Sequence, residues 1–130
     1  MGNDKNKPEL LSPLTLAFVG DAYFSLYVRQ RLVLNANRPV GTLHSLSVKS
    51  VKASAQAQIM RNILTELTEE ETDIFKRGRN AHTSHTPKNQ SGADYHWATG
   101  FEALVGFLHL KGEDERLNTL LDKACEVENL

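Results

Sequence analysis

The sequence has little of what a disulfide-bonded, secreted or membrane-spanning protein needs. Cys125 is the single cysteine, so no intramolecular disulfide can form, and a reducing compartment suits the chain. No apolar run approaches the roughly 18 residues that cross a bilayer. Residues 1–8 (MGNDKNKP) contain no apolar segment of the kind found in signal peptides. These absences predict a cytoplasmic protein with no membrane partner.

Motifs that bind nucleotides or carry a serine nucleophile are also missing. Neither a Walker motif nor a glycine-rich dinucleotide motif is present, and there is no nucleophile elbow. What the chain does have is 130 residues, of which 40% are hydrophobic and 24% charged, as expected for one globular domain with a core. We assign residues 1–11 to a polar N-terminal tail and residues 12–130 to this domain.

Signals for helix ends recur along the chain, whereas no stretch alternates as a strand would. Ser12 followed by Pro13 is typical of a helix start, and Thr68 with Glu71 forms a capping-box pattern. Asp94 is expected to cap a later helix. The pattern predicts an all-α protein of five to seven helices, over about residues 13–34, 42–67 with a break near 50, 69–78, 95–111, and a final amphipathic segment.

Two carboxylates, Asp21 and Glu102, interrupt apolar helical segments. Asp21 lies in the run LAFVGDAYF and Glu102 in the run ATGFEALVGFL. An ionised carboxylate among apolar side chains is costly unless it is paired, hydrogen-bonded or bound to a cation. Each has a glycine nearby, Gly20 or Gly106, which would let the two helices pack closely. For either acid alone, a position at a helix edge is the simpler explanation. The pair predicts a shared Mg²⁺, the minimal apparatus for phosphodiester hydrolysis.

The net charge of −1 hides an uneven distribution. Residues 29–88 hold ten Lys or Arg against five acids, whereas residues 94–130 hold three against eight. The basic middle of the chain is a candidate footprint for a polyanion, although ordinary surface charge on separate helices explains the same imbalance. Its densest part precedes and enters a polar loop at residues 79–93. Clustered cations with short hydroxyl and amide donors suit contacts to a sugar-phosphate backbone, and the candidate residues there are Lys76, Arg77, Arg79, Asn80, Thr86, Lys88 and Asn89.

Both carboxylate segments resemble the signature motifs of ribonuclease III catalytic domains. Residues 16–22 (LAFVGDA) are similar to the family's Leu-Glu-Phe-Leu-Gly-Asp-Ala motif. Residues 101–106 (FEALVG) are similar to its Leu-Glu-Ala-Leu-Ile-Gly motif. Residues 41–60 resemble the helical block between them, so the resemblance covers about residues 12–111 in the right order.

Within that family, the sequence is most similar to the group called Mini-ribonuclease III. The runs KRGRNA at 76–81 and TPKN at 86–89 resemble motifs of this group. Ala17 and Thr99 replace acids of the longer enzymes, which leaves one carboxylate in each motif, as in this group. We also expect no double-stranded-RNA-binding domain to accompany the helical domain.

The resemblance implies the all-α fold of a ribonuclease III endonuclease domain, working as a homodimer with a catalytic centre in each subunit. It implies cleavage of double-stranded RNA to 5′-phosphate and 3′-hydroxyl ends, with precursor 23S ribosomal RNA as the usual bacterial substrate. Asp21 and Glu102 match the retained catalytic and metal-binding carboxylates. The cofactor would be Mg²⁺, with Mn²⁺ as a substitute, and water would supply more of its ligands than in the longer enzymes.

Two other functions fit the same residues. The missing acids at Ala17 and Thr99 allow a non-catalytic RNA-binding or ribosome-assembly module on the same fold. A helical dimerisation protein, whose acids only fix specificity, would need no RNA. Metal-dependent cleavage and affinity for duplex RNA distinguish the three.

Overall fold

A computed structural model describes residues 7–81 and 92–128, with side chains up to residue 125. Within these ranges the chain is helical and contains no strand, which confirms the all-α prediction. None of the helices described there is long and apolar enough to span a membrane. The α-helices are α1 (Pro13–Asn35), α2 (Val40–Val51), α3 (Ala53–Ile63), α4 (Glu69–Arg79), α5 (Gly92–Leu110) and α6 (Asp114–Glu128), with short 3-10 turns at Pro8–Leu10 and Leu64–Glu66.

The two predicted helix starts at Ser12 and Thr68 are confirmed. The Ser12 hydroxyl accepts a hydrogen bond from the Thr15 N–H at 3.2 Å, and proline occupies the first turn of α1. Thr68 and Glu71 form a complete capping box: the Glu71 N–H donates to Thr68 Oγ1 at 3.1 Å, and the Thr68 N–H donates to Glu71 Oε1 at 2.8 Å. These bonds satisfy main-chain donors that a helix end leaves unpaired.

Several predicted boundaries are displaced by two or three residues. The helix expected to start after Asp94 already includes Gly92, so Asp94 lies in the first turn of α5 and is not its cap. A carboxylate is favourable anywhere in that turn, and Asp94 accepts a bond from Arg61 at 3.1 Å. Likewise α2 begins at Val40 rather than Thr42, and the predicted break near residue 50 falls at Lys52.

Helix α5 is the centre of the molecule, with α1, α3 and α4 packed around it. Between Ala98 and Leu108 every residue is buried except Glu102, which is half-buried. Apolar side chains from the surrounding helices complete this core, including Phe24, Val28, Met60, Ile63, Ile74, Phe75, Leu120 and Leu121. Glu102 is therefore the one ionisable side chain in this buried part of the central helix.

Glycines set the closest approach between α1 and α5. A Cβ atom on Gly20 would lie 1.8 Å from the Glu102 carbonyl oxygen, and one on Gly106 would lie 1.9 Å from the Leu16 carbonyl oxygen. No side chain fits at either position, so the two backbones touch. This contact is the close packing that the glycines beside the two acids predict.

Candidate active site

The crossing of α1 and α5 brings Asp21 and Glu102 together. Asp21 directly follows the contact glycine of α1, and Glu102 supplies the carbonyl oxygen that this glycine touches. The two carboxyl groups are close enough to share a hydrogen bond. Asp21 is exposed, however, whereas Glu102 is half-buried. Phe18 and Ala22 beside Asp21 on α1 are exposed as well, whereas Ala17 and Phe24, one turn away, are buried.

The pair carries an electrostatic conflict that a cation would relieve. Burial, followed by the charge of Asp21 and a hydrogen bond with it, raises the pKa of Glu102 to about 8. Two neighbouring carboxylates cannot both ionise at low cost without a positive charge beside them. A divalent cation would favour both ionised forms, so its binding would release a proton from the pair.

Gln56 on α3 is the third polar group at this site. It is 3% exposed, and its Nε2 donates to Glu102 Oε2 at 3.4 Å and to the Val51 carbonyl oxygen at 2.8 Å. Its Oε1 is buried and accepts no hydrogen bond from the part of the chain that the structure describes. The Glu102 carboxylate thus has Asp21 on one side and a buried amide on the other.

An apolar stripe runs along the outward face of α1, beside Asp21. Phe18 is 81% exposed, and Leu14, Leu26 and Val33 are also exposed. These positions and Ala22 recur at intervals of about three or four residues or their multiples, so they share one side of the helix. The stripe continues into a groove between α1 and α2 lined by Arg29, Leu32, Val33, Val40, Leu43, His44 and Ser47. A continuous exposed apolar surface of this kind is typical of an interaction site.

The candidate RNA-contacting residues at the end of α4 occupy different environments. Lys76 and Asn80 are exposed, and Arg79 is partly exposed, with its guanidinium 5.6 Å from the centre of the Phe75 ring. Arg77 turns toward the N-terminal segment, where its two terminal nitrogens donate to the Glu9 carbonyl at 3.4 Å and the Leu11 carbonyl at 3.3 Å. Arg77 therefore holds the chain entering α1, which leaves less of it for a partner. Thr86, Lys88 and Asn89 lie outside the described residues.

Comparison with known proteins identifies the family. The ribonuclease III domain description matches residues 14–113. The chain belongs to the ribonuclease III family. It is 51% identical to Mini-ribonuclease 3 of Thermoanaerobacter sp. over 90% of this chain and 82% of that protein. It is also 44% identical to Mini-ribonuclease 3 of Symbiobacterium thermophilum, over 92% of each chain.

A solved structure agrees with this assignment. The crystal structure of a protein from Fusobacterium nucleatum is similar with a TM-score of 0.80 and 31% identity, over 90% of this chain and 93% of that one. These findings confirm that the chain is a member of the ribonuclease III family and of its Mini-ribonuclease III group, with the expected helical fold. They also confirm the prediction of an enzyme of the ribonuclease class.

In this ribonuclease III domain, the two positions without the expected acids are buried and filled. Ala17 is 8% exposed and Thr99 is 7% exposed. The Thr99 hydroxyl donates to the Tyr95 carbonyl of its own helix at 3.1 Å, so it is already used. Within the described residues, no group of three or more acidic, histidine or cysteine side chains is placed to hold a metal ion.

The donors that remain still fit a divalent cation. Mg²⁺ commonly takes one or two protein carboxylates and keeps several waters. Asp21 and Glu102 supply that number of carboxylates, and the exposure of Asp21 leaves room for water. The buried, unpaired Gln56 oxygen is a further acceptor next to the pair. A site with two carboxylates and a hydrated ion is therefore chemically consistent with this ribonuclease III chain.

The sequence patterns missed Gln56 and the outward orientation of the α1 stripe. A signal for Gln56 was present, because it shares the apolar face of α3 with Ile59, Met60 and Ile63, as Glu102 shares that of α5. For the stripe, the sequence pattern indicates only that α1 is a central or interface helix. Helix α1 is apolar on most sides, so its pattern does not distinguish the core-facing side from the outward one.

Proposed function

We propose that this protein is a Mg²⁺-dependent endoribonuclease that cleaves double-stranded RNA, with precursor 23S ribosomal RNA as its substrate in the cytoplasm. The observation that carries the proposal is the Asp21–Glu102 pair at the contact between α1 and α5. Its position in both family motifs supports a catalytic role. Mn²⁺ would substitute for Mg²⁺, since both are hard cations that accept oxygen ligands.

The chain's own groups would hold and charge-balance the ion. Asp21, exposed, and Glu102, fixed against the core, would each provide a carboxylate oxygen. When bound, the ion would lower the pKa of an attacking water and stabilise charge developing on the phosphate. Glu102 must lose its proton for this, and the cation itself favours that loss. The products would carry 5′-phosphate and 3′-hydroxyl ends.

Recognition of the duplex would depend on shape and charge. The A-form minor groove displays phosphates and 2′-hydroxyls, so duplex RNA is read mostly without base contacts. Lys76, Arg79 and Asn80 are the exposed or partly exposed donors at the end of α4. Together with Thr86, Lys88 and Asn89 of the following loop, they would contact the sugar-phosphate backbone.

The working unit would be a homodimer formed through the apolar stripe of α1. Phe18, Leu14, Leu26 and Val33 are exposed on that face, next to Asp21. A second copy would cover this surface by two-fold symmetry and place both catalytic pairs near one RNA groove. Replacing Phe18 with Asp is expected to give monomers in light scattering. Leu34→Asp is the matched control, since Leu34 is 86% exposed on the same helix but points roughly 160° away.

Cleavage of a duplex RNA in Mg²⁺ by the wild type and by Asp21→Asn tests the proposal. The wild type should cut duplex but not single-stranded RNA, and Asp21→Asn should be inactive while still binding the duplex. Asp73→Asn, which removes an exposed acid of α4, is the control and should retain activity. Full activity of Asp21→Asn would exclude the assigned site. A precursor 23S transcript beside an unrelated duplex of equal length tests the substrate.

The alternative left open by the sequence, a non-catalytic RNA-binding or ribosome-assembly module, is disfavoured by the similarity to Mini-ribonuclease 3 proteins. Ala17 and Thr99 do not support it, because the resemblance implies one carboxylate per motif in this group. Such a module predicts salt-sensitive duplex binding without cleavage in either Mg²⁺ or Mn²⁺. A protein that only dimerises would show neither binding nor cleavage in the same assay.

A further inference from the structure

Gln56 lies where an apolar side chain would be expected. Its neighbours on the buried face of α3 are Ile59, Met60 and Ile63, and Gln56 itself is 3% exposed. A buried amide costs free energy unless its donors and its acceptor are all satisfied. The groups that surround the Gln56 amide must therefore satisfy its hydrogen-bonding atoms.

The orientation of the Gln56 amide follows from its two acceptors. The Val51 carbonyl oxygen and the Glu102 Oε2 lie 2.8 Å and 3.4 Å from the same nitrogen. Placing the amide oxygen there would bring it against two other acceptors, so only one orientation is favourable. Nε2 must face Glu102, and Oε1 must occupy the other side of the planar group.

The Gln56 Oε1 then has no donor. It is buried and receives no hydrogen bond within the described part of the chain. Ionised Asp21 and Glu102 cannot supply one, because a carboxylate only accepts. Water in the hydration shell of a cation held by Asp21 and Glu102 is a donor, and that shell would lie beside the amide. Such contacts around a metal commonly orient its ligands.

We infer that Gln56 is a positioning residue of the metal site. Its Nε2 fixes the Glu102 carboxylate, and its Oε1 accepts a hydrogen bond from water on the divalent cation. This inference rests on the proposed metal-dependent function, since it assumes an ion at the carboxylate pair. A purely structural role is the competing explanation, because the same Nε2 also pairs with Val51 at the end of α2.

Mn²⁺ binding without RNA separates the two roles. Free Mn²⁺ is measured by electron paramagnetic resonance for the full chain, for Gln56→Met and for the control Gln58→Met. Gln58 is exposed on the same helix, where its Nε2 donates to Asn62. Gln56→Met keeps the side-chain length but neither hydrogen-bonding group. Its Mn²⁺ affinity should fall by about tenfold or more, while Gln58→Met should match the wild type.

The Mg²⁺ dependence of cleavage gives a second readout. Gln56→Met should need about tenfold more Mg²⁺ for half-maximal rate and recover most of the rate at saturating Mg²⁺. Unchanged Mn²⁺ affinity in a folded Gln56→Met protein would overturn the inference and leave only the structural role. Absence of Mn²⁺ binding by the wild type, with Asp21→Asn as reference, would instead reject the proposed metal site itself.

Gln56→Glu covers the case in which Gln56→Met fails to fold. It keeps the shape and one acceptor oxygen but adds a third carboxyl group beside Asp21 and Glu102. If Gln56 faces the ion, Mn²⁺ affinity should rise more steeply with pH than in the wild type, because binding releases more protons. If the Mn²⁺ affinity of Gln56→Glu depended on pH as that of the wild type does, the side chain at position 56 would not lie near the bound ion.

Discussion

Glu71 and Glu102 both lie against the core, but their carboxylates are stabilised in opposite ways. Glu71 accepts hydrogen bonds from the Thr68 N–H at 2.8 Å and from Arg116 at 3.0 Å and 2.8 Å. Burial opposes its ionisation, yet the Arg116 bonds and the cap outweigh burial and lower its pKa. Glu102 instead faces a second carboxylate, and its pKa is raised to about 8.

This difference separates a structural acid from a functional one. The partners of Glu71 come from its own fold, so its charge is balanced before anything binds. Glu102 has the Gln56 amide at 3.4 Å and the acid Asp21 as neighbours, and no cationic side chain in the described part of the chain pairs with it. A site whose charge balance is incomplete is suited to a ligand that completes it. Removing the charge of each acid in turn, and measuring cleavage and stability, tests this comparison.

The largest expected effect is the loss of RNA cleavage in the Glu102→Gln variant. Removing one carboxylate of the pair should lower the rate of duplex cleavage in Mg²⁺ by about 1,000-fold, because the ion contributes several kcal/mol to transition-state stabilisation. Single-turnover cleavage measures the change. Glu71→Gln should retain the wild-type rate per folded molecule, and an equal loss in both variants would show that the comparison fails.

Gly20→Ala should cause the largest loss of stability. The added Cβ would lie 1.8 Å from the Glu102 carbonyl, so α1 and α5 must separate and the free energy of unfolding should fall by about 3 kcal/mol or more. Urea unfolding measures it. Gly41→Ala is the control, because nothing lies within 4 Å of its added Cβ. Within a helix that change should stabilise slightly, by about 0.5–1 kcal/mol.

Glu71→Gln should reduce stability with little effect on chemistry. It removes the charge paired with Arg116, and breaking a buried pair costs about 3 kcal/mol, less here because the Arg116 side chain is 34% exposed. Thermal and urea unfolding should show a loss of roughly 2 kcal/mol. A variant as stable as the wild type would mean that the capping box alone holds this end of α4.

An effect of similar size is expected in the pH dependence of stability without divalent cations. The folded pKa of Glu102 lies above its unfolded value, so its contribution is complete at low pH and is lost as pH rises through about 8. Between pH 5 and 8 in EDTA, the free energy of unfolding should fall by about 2 kcal/mol, allowing for screening of the exposed Asp21. Urea titrations of the wild type and of Glu102→Gln measure this.

Glu102→Gln should remove most of that decrease, and Mg²⁺ should reduce it in the wild type. Glu71 gives the opposite sign: its pKa is lowered, so its contribution is present above the unfolded value and is lost as pH falls below about 4. Identical pH profiles for the wild type and Glu102→Gln would contradict the raised pKa.

The helices and their caps could be predicted because short-range chemistry determines them. Ser12, Thr68 and Glu71 act on residues three positions away, and their bonds form as the pattern predicts. The close approach of α1 to α5 could also be predicted, since Gly20 and Gly106 each belong to a family motif. The prediction that Asp94 caps α5 was wrong because a carboxylate stabilises the first turn of a helix as well as the cap position.

The exposure and the neighbours of the site residues could not be predicted from such local patterns. Whether Asp21 is enclosed depends on what covers the outward face of α1, and a pattern that is apolar on most sides does not say. The role of Arg77 depends on the carbonyls of Glu9 and Leu11, which are distant in sequence and carry no side-chain signal. Three-dimensional neighbours, not local patterns, decide these positions.

The contact of Gly20 with the Glu102 carbonyl also makes a pivot. When two rods tilt about their point of contact, a residue moves in proportion to its distance from that point. Asp21 is one residue from the contact and Glu102 belongs to it, so any tilt of α1 against α5 about this point would move both acids less than the helix ends. The spacing of the two carboxylates would then be the part of the interface least sensitive to such a tilt.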